Sequence, residues 1–168
     1  RPPIFIGAGI IKYEHQIDQV AQLDTLAAVV LGSYSREQWY GNSQRGRYNV
    51  FHYDYETRAA YNAVNFENPG SETGSTYLPD QIKKLHDVGI LVVVSVTALA
   101  HEDPKVVLPQ MAEWALGLGA DQVEIDVSCP NQGFDNLLCY DVDAVGEIIE
   151  TVNIRAGRQA PKSLKVAA

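Results

Sequence analysis

Cysteine is scarce: Cys129 and Cys139 are the only two in 168 residues. Ten positions apart, they make no disulfide framework, and reduced thiols in a cytosolic protein are the expected state. Basic residues are also few, 13 Lys and Arg against 21 Asp and Glu, for a formal net charge of −8. Binding phosphates takes clustered Lys and Arg, so neither a nucleic acid nor an anionic membrane surface is an expected partner. No apolar run approaches the ~20 residues of a membrane helix. No signal peptide opens the chain, and a soluble, cytoplasmic protein is the expectation. His15, His52, His86 and His101 are scattered without ligand spacing, so no metal site is expected. Gly7-Ala-Gly9 lacks the third glycine of a dinucleotide fingerprint and Lys12 intrudes, which excludes that reading.

What remains is an ordinary globular composition, 46% apolar and 20% charged, long enough for one domain over residues 1–168 with a sizeable core. The chain opens on Arg1 rather than Met and stops within a strand-like run, so a fragment of a longer protein is expected. Short apolar, β-branched runs recur at 4–6, 27–31, 90–96, 122–127 and 164–166. Runs of this kind suit strands buried on both faces of a parallel sheet. Helical stripes separate them: Ile17, Val20 and Ala21; Val107, Leu108, Met111, Ala115 and Leu118; Val142, Val145, Ile149 and Val152. Gly89 and Gly119 stand where helix C-terminal glycines belong. The order β-α-β-insertion-α-β-α-β-α-β predicts an α/β fold of repeated βα units. Periodicity leaves two architectures open: an open doubly wound sheet, or a (β/α)8 barrel truncated after its fifth strand. Residues 33–73, rich in Tyr, Asn, Gly and Ser, form a long insertion of functional character, with a short hairpin expected around 49–55.

Three groups of residues carry chemistry. In Glu124-Ile-Asp-Val-Ser-Cys-Pro-Asn131 an apolar strand ends in a polar cluster, and carboxyl ends of parallel strands are where ligands bind. A thiol there can act as base or nucleophile, or it can be a buried structural Cys129 near a turn. Cys139, after Leu137-Leu138, reads as packing. Tyr61-Asn-Ala-Val-Asn-Phe-Glu-Asn-Pro-Gly70 carries amides that both donate and accept, as a planar heterocycle requires, although the same residues build turns. Lys12 and Lys165, at strand ends, could stabilise negative charge on a ligand or simply be solvated.

Taken in order, these pieces resemble the dihydroorotate dehydrogenase family of FMN-dependent TIM-barrel enzymes. The resemblance rests on Gly7-Ala-Gly-Ile-Ile-Lys12, Leu31-Gly-Ser-Tyr-Ser35, Asn62-Ala-Val-Asn-Phe-Glu-Asn-Pro-Gly70, Asp126-Val-Ser-Cys-Pro-Asn131 and Leu164-Lys-Val-Ala167. It implies oxidation of dihydroorotate to orotate in pyrimidine biosynthesis, with Cys129 taking the C5 proton while C6 gives a hydride to the flavin. Asn62, Asn131, Asp126 and Lys12 would meet the substrate, and Lys165, Ser95, Gly9 and Ser33 the FMN. A homodimer or an electron-transfer subunit are the protein partners it leaves open, and fumarate, quinone or that subunit the electron acceptors. The chain departs from the family pattern at three points. Asp126 replaces the signature's first Asn, Asn65 a glycine that may need positive φ, and Gly32 the lysine of the cysteine-base branch. A dihydroorotate-dehydrogenase-like flavoenzyme is therefore expected rather than a strict orthologue. The alternatives are a related flavin barrel of the dihydrouridine synthase kind, against which the charge of −8 speaks, and a non-catalytic half-barrel.

Overall fold

The computed structural model describes residues 4–11, 13–42, 51–129 and 137–166, with Phe51, Tyr61 and Asn62 described by their backbone alone. The described residues form seven strands and five α-helices. They are β1 (Ile4–Ile6), α1 (Glu14–Val20), β2 (Leu26–Tyr34), β3 (Phe51–Asp54), β4 (Ala59–Asn62), α2 (Gly70–Ser75), α3 (Leu78–Asp87), β5 (Leu91–Val96), α4 (Pro104–Gly117), β6 (Gln122–Asp126), α5 (Val142–Arg155) and β7 (Lys162–Lys165). Five strands form one parallel sheet in the order β1-β2-β5-β6-β7. Each new strand of the sheet is added on the same side of the last. A doubly wound sheet reverses direction at a switch point. The unreversed order is that of a barrel wall, and the fold is α/β with a five-stranded parallel half-barrel sheet.

Strand alternation divides the sheet into two faces. On β5, Val92, Val94 and Val96 join the core formed with Val107, Leu108 and Met111 of α4 and Ile148 of α5. Val93 and Ser95, equally buried, point to the opposite face. The predicted α4 stripe is the buried one, with Leu118 packed at its edge. The α5 stripe is shifted. Ala144, Ile148 and Val152 are buried, whereas Val142 is 79% exposed and Ile149 lies at the surface. Asp141 starts the helix: its carboxylate caps the Ala144 N–H, and the first turn holds both the exposed Val142 and the buried Ala144.

Gly89 closes α3 at φ +75°, its N–H bonded to the His86 carbonyl while Ile90 N–H returns to Leu85. This left-handed C-terminal turn aims the chain into β5. The hairpin of the insertion is β3 against β4, with its turn at residues 55–58, beyond the expected span. Asp54 builds that turn by accepting the Glu56 and Thr57 N–H groups and the Thr57 hydroxyl. Among the described residues no helix is long and apolar enough to cross a membrane.

Candidate functional site at the carboxyl ends of the strands

A cleft of about 1360 Å³ opens beside the carboxyl ends of β2, β6 and β7, and Gly9, Ser33, Asp126, Cys129 and Lys165 all line it. These are five of the nine residues that the sequence singles out. Register explains the convergence: Asp126 ends β6 directly opposite Lys165 at the end of β7. On β6, Val123 and Ile125 face the helices, so Glu124 and Asp126 must face the other way.

Asp126 is buried, its side chain only 3% exposed. Lys165 Nζ donates to its Oδ2 at 2.7 Å, and the Ser128 N–H and hydroxyl both donate to Oδ1 at 3.0 Å. Burial alone would depress the Lys165 pKa. The hydrogen bond and charge of Asp126, with Glu124 and Cys129 adding to them, instead hold it above the ordinary value of 10.5. Cys129 and Cys139 are thiols, both partly buried. Cys129 faces the cleft, whereas Cys139 packs against the core and donates its backbone N–H to Val127.

Ser95 is fully buried, behind the cleft wall rather than on it. The Ser33 hydroxyl lies 2.7 Å from the Ser95 hydroxyl, which in turn donates to Glu124 Oε1 at 2.8 Å. The chain Ser33–Ser95–Glu124 thus crosses three strands and fixes the hydroxyl that reaches the cleft. Next to Ser33, Gly32 holds φ +110°, and a Cβ there would fall 2.6 Å from the Ser95 carbonyl. No residue with a side chain fits this backbone, and glycine does.

The amide-rich segment divides. Asn62 ends β4, where its backbone pairs with Phe51. Asn65 has φ +55°, the left-handed conformation that Asn tolerates, and Phe66 follows at φ +62°. Asn68, which the sequence reading left without a role, is the buried hub of the loop. Its Oδ1 accepts the N–H groups of Ser35 (3.1 Å) and Gly70 (3.0 Å), and the Ser35 hydroxyl lies 3.0 Å away. Its backbone exchanges two hydrogen bonds with Trp39, at 2.9 and 3.0 Å. Only the Asn-Pro-Gly turn spelling hinted at this. Lys12 and Asn131 lie outside the described residues, as does the Asn62 side chain.

Arg36 and Glu102 form a second feature that the sequence did not reveal. Arg36 reaches Glu102 Oε1 at 3.0 Å, and the other oxygen accepts the Leu99 N–H. The fold also brings His101, one of the scattered histidines, together with Glu37 and Glu102. The Arg36 guanidinium sits on both of those carboxylates, so this cluster already contains its cation. Near the cleft floor the Tyr34 and Tyr77 hydroxyls meet at 3.1 Å, and burial, then the Tyr77 charge and hydrogen bond, push the Tyr34 pKa far upward.

Parallel strands in barrel order, with a thiol, a lysine and a carboxylate gathered at their carboxyl ends, define an enzyme-type α/β half-barrel. The sequence model described as dihydroorotate dehydrogenase matches residues 1–166. The chain belongs to the dihydroorotate dehydrogenase family. It is 22% identical over 150 residues to the catalytic subunit of dihydroorotate dehydrogenase B (NAD(+)) from Endomicrobium trichonymphae. That match takes in 89% of this chain and 45% of the relative, so the chain spans about half the relative's length. Among solved structures, an O-GlcNAc hydrolase variant from Thermobaculum terrenum superposes with a TM-score of 0.50 at 15% identity, over 96% of this chain and 34% of that one. This second likeness is one of fold alone.

Proposed function

We propose that the chain forms the substrate-facing half of an FMN-dependent oxidoreductase that oxidises a dihydropyrimidine ring, in the manner of dihydroorotate to orotate, with Cys129 as base. The observation that carries this reading is the Cys129 thiol and the Lys165 ammonium on one cleft at the strand ends. A flavin fits the residues there. Gly9 presents bare backbone, with nothing within 4 Å of where its Cβ would be. Ser33 offers a hydroxyl held by Ser95, and Lys165 a cation for an electron-rich ring edge. FMN, when bound, supplies the acceptor for the hydride that leaves C6.

In this reading Cys129, as thiolate, takes the C5 proton, and the C5–C6 double bond forms as the proton and hydride depart. The nearby Lys165 charge favours that thiolate. Asn62, Asn131 and Lys12 would orient the ring, with Asp126 beside them. The relative is a catalytic subunit, which supports a partner subunit for this chain as well.

A visible spectrum of the chain with FMN, before and after anaerobic dihydroorotate, tests the reading. Bleaching near the flavin maximum is expected, and Cys129→Ala should keep the flavin bound while abolishing the bleaching. Undiminished turnover in Cys129→Ala would remove Cys129 as base. A chain that stays colourless would favour the non-catalytic half-barrel.

A further inference from the structure

We propose that the cleft prefers a neutral dihydropyrimidine over one carrying a ring carboxylate, and that Asp126 determines the choice. The inference rests on the dihydropyrimidine reading above and narrows its substrate class.

The first argument is charge. Among the described residues lining the cleft, Glu14, Glu67, Asp80 and Asp126 are acidic, and only Lys84 and Lys165 are basic. Neither lysine is uncommitted: Lys84 is paired with Asp18 and Lys165 with Asp126. A substrate carboxylate entering this space meets an excess of like charge and no unengaged cation among these residues. Asp126 is the most consequential of the four because it is buried, where charges are poorly screened. At a partly buried site such a repulsion is worth on the order of tenfold to a hundredfold in affinity.

The second argument is hydrogen-bond stoichiometry. An ionised carboxylate has about four acceptor positions and no donor. Lys165 and the two Ser128 groups fill three of them. Among the described hydrogen bonds one acceptor position remains, suited to a ring N–H. An amide at this place could donate to a ring oxygen or to a substrate carboxylate, and the carboxylate of Asp126 can do neither. Its charge and its remaining valence therefore both favour a ring that presents an N–H and no anion.

Uracil and orotate differ by a single carboxylate and serve as binding probes, titrated calorimetrically into the chain in the presence of FMN at pH 7. Uracil is expected to bind at least tenfold more tightly than orotate. Asp126→Asn should reduce or invert that ratio by at least tenfold, through tighter orotate binding. Orotate methyl ester, neutral but no smaller, keeps the test independent of the variant's folding, and it should bind as uracil does. Orotate binding as well as its ester, or a preference unchanged in Asp126→Asn, would overturn the proposal. If dihydroorotate still bleached the flavin in that case, the parent reading would survive. If neither ring bound and no dihydropyrimidine bleached the flavin, both would fall.

Discussion

Asn68 shows how much of a loop can depend on one acceptor oxygen. Two backbone N–H groups converge on its Oδ1, from Ser35 at the end of β2 and from Gly70 at the start of α2. Asn68→Ala leaves both donors buried without a partner, at a cost of about 3 kcal/mol. For a chain of this size that corresponds to a fall in Tm of roughly 6–12 °C. Asn68→Asp keeps the acceptor and should lose less than half as much in the same thermal melt. Equal losses in the two variants would mean that the amide, not its oxygen, is what matters. Sequence alone did not separate this amide from Asn62 or Asn65, because all three sit among turn residues and the distinction lies in which backbone groups lack partners. The same limit hid the pairing of Arg36 with Glu102. Asn65 was more legible, since the left-handed conformation it adopts belongs to a short list of residue types.

Elements were easier to read than residues. The five apolar runs correspond to the five strands of the parallel sheet; burial on both faces accounts for the runs of β2 and β5, whereas the edge strands β1 and β7 are partly exposed. Barrel winding was not legible, since strand order is a property of the sheet and not of any one run. Helix α5 shows where periodicity misleads. Val142, Val145, Ile149 and Val152 and the observed set Ala144, Ile148 and Val152 both keep helical spacing, so spacing alone does not choose the buried face. Two adjacent residues test this. Ile148, fully buried, should cost about 2–5 kcal/mol on conversion to Ala. Ile149→Ala, at 37% exposure, should cost under about 1 kcal/mol in the same urea titration. A reversed order would mean that the helix is rotated about its axis from the described position.

Alkaline pH is the condition under which the molecule as a whole should weaken. The pKa values of Tyr34 and Lys165 both lie above their ordinary values of 10.0 and 10.5. Each therefore contributes its full stability below its ordinary value and loses it as pH rises through the folded-state value. Melting temperature followed by circular dichroism should fall above about pH 10, and the fall should be shallower in Tyr34→Phe. An unchanged slope in that variant would assign the loss to other groups. The candidate site, by contrast, was half legible: the signature around Cys129 pointed to a strand end that lines the cleft, but the ion pair between Asp126 and Lys165 needed the register of β6 on β7. That register also sets a schedule. Asp126 leaves the ribosome 39 residues before Lys165, which at ~5–20 residues per second is a delay of roughly 2–8 s. Asp126 therefore cannot gain its lysine partner until β7 has been made.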